Sequence, residues 1–489
     1  MMTTEFQTDI LLSHGYCLEE DPHEREVMMP YPPLGLLYVA SHLEAKGFEV
    51  AVHDMTFSSL LEFQRHLNEV QPSVLGLYGN LLTRRRLLEM IPLGRKAGAT
   101  IVLGGPEPAA HAEEYLNCGA DVIVSGEGEE TMEELLRHLP DHGLEDLENI
   151  QGIIFKDSSG ATIRTPARPQ IRDLDNQPLP ARETIDFGRY LKTWREHHGH
   201  SSVSLITSRG CPFTCTWCSH AVFGRSHRRR SPEAVADEVA HIVKTYNPDR
   251  LWYADDVFTL NRPWVLRYAA ELERRNLHLP FECISRADRL TEEVIDALAA
   301  MGCRRLWIGS ESGSQRILDA MKRLTDVADV QAKSAMLKRH GIEVGIFIML
   351  GFEGETEADL EATVEHLKAC DPDIFLTTVA YPITGTEYHA QVADHIHAVR
   401  PWEARTDRDL IVEGRHSAAY YHWATRWMVN EVKYHQLRWA GGVSPLRLAR
   451  HRLAAWRGRL GMRLTSNHRD PASGRDWAAN EVGARGNSA

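Results

Sequence analysis

Apolar positions in the first 145 residues fall into two alternating kinds of run. Short continuous runs at 10–12, 48–52, 74–78, 100–103 and 122–124 read as strands. Between them, 33–43, 58–69, 83–97 and 129–138 carry apolar residues at helical spacing, with Pro33 opening the first. Strand–helix alternation at this spacing predicts a doubly wound, Rossmann-like parallel sheet. Its ligand is expected beyond the carboxyl ends of the strands. No G-x-G-x-x-G follows the first strand, so a standard dinucleotide site is not supported.

The pattern changes over 146–200. Segments 152–155 and 161–163 flank Asp157-Ser-Ser-Gly160 as in a hairpin, and Pro166, Pro169, Pro178 and Pro180 give a linker composition. Alternation resumes over 201–390. Strands are expected at 202–207, 251–254, 280–284, 305–309, 344–350 and 374–380, with helical patterns between them. About six β/α units predict a partial (β/α)6 TIM-type barrel rather than the full eight. Residues 391–489 read as a helical region with a polar tail from about 470, expected to be disordered. The expected fold class is therefore α/β: a doubly wound domain over 1–145, a linker with a hairpin over 146–200, a partial barrel over 201–390 and a helical C-terminal region.

Composition narrows this picture. A chain of 489 residues holds two to four domains at roughly 100–200 residues each. With 43% hydrophobic and 25% charged residues it is neither fibrous nor largely disordered. A net charge of −13 argues against nucleic acid as a partner. No apolar run approaches the ~20 residues of a membrane span. The start MMTTEFQTD lacks a basic region and an apolar signal core, so a cytoplasmic location is expected. One segment runs against the acidic balance: 432–469 holds nine Lys/Arg and no acid. Within it, Ser444-Pro445 starts a helix in which Leu446, Leu453, Trp456 and Leu460 recur among arginines. Such a basic amphipathic helix is able to lie on the inner face of an anionic membrane, or to pack on the acidic body of its own chain. Gly458 and Gly461 weaken its far end.

Five of the eight cysteines are scattered, but Cys211, Cys215 and Cys218 crowd into eight residues as C-x3-C-x2-C. In a reducing compartment such crowding reads as metal ligation. Thiolates hold iron–sulfur clusters. Three local ligands leave one corner of a four-iron cluster open, the mark of a catalytic rather than a structural metal site. A structural zinc site using His220 is the alternative.

Placed just after the first barrel strand, with Trp217 before the third cysteine, this motif resembles that of the radical S-adenosylmethionine (SAM) enzymes. The resemblance implies that the open iron chelates SAM and that one electron cleaves it to a 5′-deoxyadenosyl radical, which takes hydrogen from a substrate. It also implies an external electron donor of flavodoxin or ferredoxin type. Further strand ends fit the family in order: Tyr253-Ala-Asp255-Asp256 for the methionine amino group and Arg286 for its carboxylate. Ser310-Glu311 would take the ribose, and Gly351, in Gly345-Ile-Phe-Ile-Met-Leu-Gly351, would lie beside adenine.

A doubly wound domain ahead of such a barrel resembles the cobalamin-binding domain of the B12-dependent subgroup. The resemblance places cobalamin on turns containing Pro33 and Gly35, Tyr78-Gly79-Asn80, Gly104-Gly105 and Gly126-Glu127-Gly128. The D-x-H-x-x-G motif that supplies a lower cobalt ligand is absent, since His53-Asp54-Met-Thr-Phe-Ser58 does not match it. The expectation that follows is a cobalamin-dependent radical SAM methyltransferase acting on an unactivated carbon of a small or lipid-like substrate, with methyl transfer from methylcobalamin. Two alternatives stand. One is a non-methylating enzyme resembling the anaerobic magnesium-protoporphyrin ester cyclase; the other is a non-catalytic cobalamin sensor.

Overall fold

The computed structural model describes residues 8–439 and 442–467; the tail from about 470 lies outside them. The first sheet contains β1 (Thr8–His14), β2 (Val50–His53), β3 (Pro72–Tyr78), β4 (Thr100–Gly104), β5 (Val122–Val124), β6 (Ile153–Lys156) and β7 (Thr162–Arg164), in the order β2-β1-β3-β4-β5-β6-β7. The first five strands are parallel, and the β6–β7 hairpin adds antiparallel to β5. Around them lie α1 (Pro22–Val27), α2 (Leu34–Ala45), α3 (Leu60–Val70), α4 (Arg84–Lys96), α5 (Ala112–Asn117) and α6 (Glu129–His142). Ser59 and Glu62 form a reciprocal capping box that starts α3.

Successive strand residues serve opposite faces of this sheet. Ile10, Leu12, Val74, Val102 and Val122 pack with α2 and α6, while Leu11, Leu75, Leu77, Ile101 and Ile123 pack with α3, α4 and α5. That is why the strands read as continuous apolar runs rather than alternating ones.

The stretch expected as a linker has more structure than its prolines suggest. Its hairpin belongs to the first sheet, and α7 (Phe187–His198) follows it. Phe187 and Leu191 join the core of the second sheet, and Trp194 donates to the Pro30 carbonyl at 2.8 Å. Short-range turn signals hid the helix, whose apolar positions find partners only in tertiary contacts.

The second sheet holds β8 (Ser202–Leu205), which leads into a small ladder of β9 (Ser208–Arg209) and β10 (Arg228–Arg229), then β11 (Arg250–Tyr253), β12 (Phe281–Ser285), β13 (Cys303–Glu311), β14 (Glu343–Leu350) and β15 (Ile374–Val379). Its six strands run parallel in sequence order from β8 and β11 to β15, a partial barrel. The helices α8 (Pro232–Tyr246), α9 (Arg262–Arg274), α10 (Glu292–Ala300), α11 (Gln315–Ala320), α12 (Val327–Arg339) and α13 (Glu357–Cys370) cover it. Ser231 and Asn261 cap α8 and α9, each with proline at the next positions.

Two long helices make up most of the C-terminal region, as expected, but short 3-10 turns and an extended stretch come between them and α14 (Glu387–Gln391). Residues 396–412 form a strap with one two-residue ladder, β16 (Ile396–His397) with β17 (Ile411–Val412). Arg84 of α4 donates to the Trp402 and Arg405 carbonyls at 3.1 and 2.7 Å, so the strap holds the first domain against the barrel. The last helices are α15 (Ala418–Trp439) and α16 (Pro445–Thr465). Gly458 and Gly461 do not end α16. A Cβ on either would strike Trp427 or Trp423 at 2.6 and 2.2 Å, so the missing side chains let α16 lie close on α15.

Candidate functional site

The cysteine loop begins where β8 ends, and a buried carboxylate fixes that end. Asp255 accepts from the Thr207 and Ser208 amides at 2.7 and 3.1 Å, from the Thr207 hydroxyl, and from Arg229 at 2.8 Å. Both its oxygens are spent within the fold. The expectation that Asp255 contacts SAM is therefore corrected: it shapes the loop, and its neighbour Asp256 faces the cavity beside Cys211 and Cys218. Burial and the charge of Asp255 raise the Asp256 carboxyl above its usual range. Burial raises the Cys211 thiol as well, and pushes Cys218 up to about 12 with help from Asp256. Such thiols keep their protons until a metal cation displaces them. Cys215 is buried, its Sγ 3.7 Å from Arg323 Nη1.

Arg286, at the end of β12, and Arg323, after α11, stand beside the loop. The Arg286 guanidinium stacks on Phe213 of the cysteine loop at 3.6 Å. Its Nε donates to Asp288 at 2.8 Å, and Nη2 donates to the Arg323 and Leu324 carbonyls at 2.9 Å. Nη1 is buried without a partner. A buried donor left unpaired is rare and costly, and a forked guanidinium suits a carboxylate. Arg323, which sequence reading missed, holds the Gly309 carbonyl from Nε and Nη2 at 3.1 and 2.6 Å. It faces Glu311 Oε1 at 3.8 Å. Glu311 itself has φ +64°, where β13 slips register against β14. A non-glycine residue in the left-handed region is costly and clusters at functional sites. Burial raises its carboxyl, against the pull of Arg323 and Arg286.

Ser310 does not join Glu311. Its hydroxyl meets His366 Nε2 of α13 at 2.9 Å, because alternate strand residues face opposite sides and Ser310 faces the helices. Trp217 packs on a cluster that includes Met349 and Phe352, the residues on either side of Leu350 and Gly351, and Tyr388. Gly351 has φ +72°; its amide donates to Glu355 Oε2 at 2.6 Å, and a Cβ would lie 2.7 Å from the Tyr421 ring.

Across from the cysteines the cavity wall is the first sheet. In the order 2-1-3-4-5 the connections reverse direction between β1 and β3, and ligands bind at such a switch point. Leu12 of β1 and Gly76, Leu77 and Tyr78 of β3 line a cavity of about 400 Å³ there, partly open to solvent. Gly35, Gly104, Gly105, Gly126, Glu127 and Gly128 complete that wall. A Cβ on Gly35 would meet nothing within 4 Å, one on Gly104 only Val124 at 3.7 Å, and one on Gly126 only the Val222 carbonyl at 3.9 Å. These glycines leave room that side chains would fill, a cradle suited to a bulky ligand.

Pro33, Gly79 and Asn80 are not in the lining. Pro33 precedes α2, Gly79 is wedged against Pro108 and Leu87, and Asn80 Oδ1 accepts from the Leu82 amide at 2.9 Å. The resemblance assigns these three to cobalamin, but Gly79 packs against its neighbours and Asn80 is spent in its own turn. His53 bonds His66 and Ser58, and His14 bonds Asp54 at 2.9 Å, so both rings are engaged within the fold.

The two walls are locked together. Arg209, two residues before Cys211, bonds Glu127 at 2.7 Å and Glu129 at 2.6 Å, and Arg228 bonds the other Glu127 oxygen at 2.6 Å. Glu127, expected to touch cobalamin, thus has its carboxylate committed to these arginines. Burial works against the Arg209 charge, but Glu129 and Glu127 outweigh it and raise its pKa. No local signal marks Arg209 in the sequence, because both partners lie some eighty residues away.

The comparisons with known proteins agree with this geometry. Residues 25–136 match the B12 binding domain family, and residues 205–367 match the Radical SAM superfamily. An uncharacterized methyltransferase of Pyrococcus horikoshii is 29% identical over 409 residues, 81% of this chain and 86% of that protein. The anaerobic magnesium-protoporphyrin IX monomethyl ester cyclase of Rubrivivax gelatinosus is 26% identical over 386 residues, 76% of this chain and 68% of that protein. The fold is shared with the radical SAM methyltransferase TsrM of Kitasatospora setae, solved with cobalamin and a [4Fe-4S] cluster bound. Its TM-score is 0.69 at 18% identity, covering 93% of this chain and 99% of that one. A B12 binding domain over residues 25–136 and a Radical SAM domain over residues 205–367 thus face one cavity in this chain, and the two domain types imply cobalamin for the first and a four-iron cluster with SAM for the second.

Proposed function

We propose that the chain is a C-methyltransferase that acts on an unactivated carbon. The observation that carries this reading is the shared cavity: the glycine cradle of the first sheet and the Cys211–Cys218 loop form its opposite walls. When bound, the cluster and SAM supply a hydrogen-abstracting radical, and cobalamin supplies a methyl group.

The chain's own residues divide the work. Cys211, Cys215 and Cys218 hold the cluster, leaving one iron for SAM. Arg286 offers its unpaired Nη1 to the methionine carboxylate, and Asp256 faces the amino group. Glu311 accepts from the ribose hydroxyls, while Gly351 and Trp217 flank adenine. Gly35, Gly104, Gly105, Gly126, Gly128 and Tyr78, which line the cavity, would hold the corrin. Cobalamin belongs to residues 1–145 together with the β6–β7 hairpin, and the radical chemistry to 201–390. A flavodoxin- or ferredoxin-type protein delivers the electron.

The test is anaerobic turnover with SAM deuterated in its methyl group and small or lipid-like candidate substrates. S-adenosylhomocysteine, 5′-deoxyadenosine and deuteromethylated product are expected together. The cyclase relatives support a second reading, in which 5′-deoxyadenosine forms with product and no S-adenosylhomocysteine accompanies it. In either case Cys215→Ala is expected to remove iron and SAM cleavage; survival of both would refute the ligand assignment.

A further inference from the structure

Helix α16 is docked by one side only. Ala455, Gly458, Gly461 and Met462 are buried against α15. On the opposite side Leu446, Leu453, Trp456, Leu460 and Leu464 are exposed, Leu446 to 83% and Trp456 to 59%. At 3.6 residues per turn these five share a sector of roughly 80°. Large apolar side chains scattered singly on a surface need no explanation, but a continuous stripe marks an interaction face. Trp439, 73% exposed at the end of α15, lies just before the same helix in sequence.

The charge beside the stripe says what covers it. On one flank Arg452 and Arg459 are paired with Glu431 and Glu361. On the other flank Arg447, Arg450 and Arg457 carry no ion pair among the described residues and reach solvent. A helix with Leu and Trp on one face and unpaired arginines bordering it suits the boundary between acyl chains and anionic headgroups. No described helix is long and apolar enough to cross a membrane, so the contact is with its surface.

We propose that the outer face of α16 binds an anionic lipid bilayer in the plane of its surface, with Leu453, Trp456 and Leu460 in the acyl boundary and Arg447, Arg450 and Arg457 among the headgroups. Glycines 458 and 461 serve this by letting the helix dock through its small residues while the large ones stay outside. The proposal stands independently of the methyl-transfer reading.

The experiment is co-sedimentation of the full chain, reconstituted anaerobically, with vesicles of phosphatidylglycerol and phosphatidylcholine or of phosphatidylcholine alone. Binding to the anionic vesicles is expected, reduced at least tenfold in pure phosphatidylcholine and in 0.5 M salt. Leu453→Ser/Trp456→Ser/Leu460→Ser and, separately, Arg447→Glu/Arg450→Glu/Arg457→Glu are each expected to lower binding at least tenfold while iron content and circular dichroism stay unchanged. Should one set unfold the chain, quenching of Trp456 by brominated lipid, absent in Trp456→Phe, reads the same contact. No binding to anionic vesicles, equal binding to neutral ones, or a dimer in size-exclusion chromatography that the serine variant abolishes would each overturn the proposal.

Discussion

Arg209 Nη1 lies 2.7 Å from Glu127 Oε1, a buried bond between the residue pair ahead of the cysteine loop and the turn after β5. With Glu129 and Arg228 it forms a four-residue network in which each charge has a partner. The proposed methyl transfer needs a fixed separation between the two walls of the cavity, and this network ties them together. Replacing Arg209 by Met strands the buried Glu129 carboxylate and leaves Glu127 to Arg228 alone, and is expected to cost about 3–5 kcal/mol of stability. Arg209→Lys keeps the charge but cannot fork to both partners, so it should fall between. Chemical denaturation of the three proteins checks the order; equal midpoints would show that the network holds nothing.

Asp255 and Asp256 are neighbours with opposite expected phenotypes. Asp255→Asn removes the ion pair of Arg229, a buried guanidinium stacked 3.8 Å from the Trp264 ring centroid. Thermal unfolding should drop by several degrees, because an unpaired buried charge remains. Asp256→Asn should unfold as wild type and bind SAM about tenfold more weakly, the worth of one hydrogen bond to a charged group of ~1.5 kcal/mol. Equilibrium dialysis with SAM separates the two.

Gly104 tests the cradle. Its backbone is ordinary and a Cβ there meets only Val124 at 3.7 Å, so Gly104→Leu should leave the unfolding temperature within a degree or two while filling the cavity. Cobalamin retained after gel filtration is expected to fall at least tenfold. Full retention would place the corrin elsewhere.

Glu355 gives the stability curve a slope. Burial raises its carboxyl from 4.5 to about 8, although the Gly351 amide favours the charged form. The native fold therefore keeps a proton through that window which the unfolded chain has already lost. Stability should fall as pH rises from 4.5 to about 8. Glu355→Gln preserves an acceptor for the Gly351 amide and should flatten that slope, gaining most over wild type at pH 8.5. Parallel slopes in the two proteins would place the proton elsewhere.

Much of this protein was written locally. The β1 to β5 runs, the barrel strands and the caps of α8 and α9 depend on residues adjacent in sequence, and periodicity reports them directly. The three cysteines lie within one loop, so their spacing alone identifies them. Glycines at 35, 104, 105, 126 and 128 follow or lie beside strand ends, where a doubly wound sheet must put its ligand.

What the sequence could not decide is how buried polar groups are shared out. Asp255 and Asp256 look alike in the chain, yet one ends among four donors and the other faces the cavity. Arg209 and Arg323 gain meaning only from partners far away, and Ser310 loses its expected role because strand alternation turns it towards His366. Likewise Gly458 and Gly461 look like weak points until Trp423 and Trp427 close on them. Element type follows from short-range pattern. The assignment of each hydrogen-bonding group follows from burial, since a buried polar atom must find a partner wherever the fold brings one within reach.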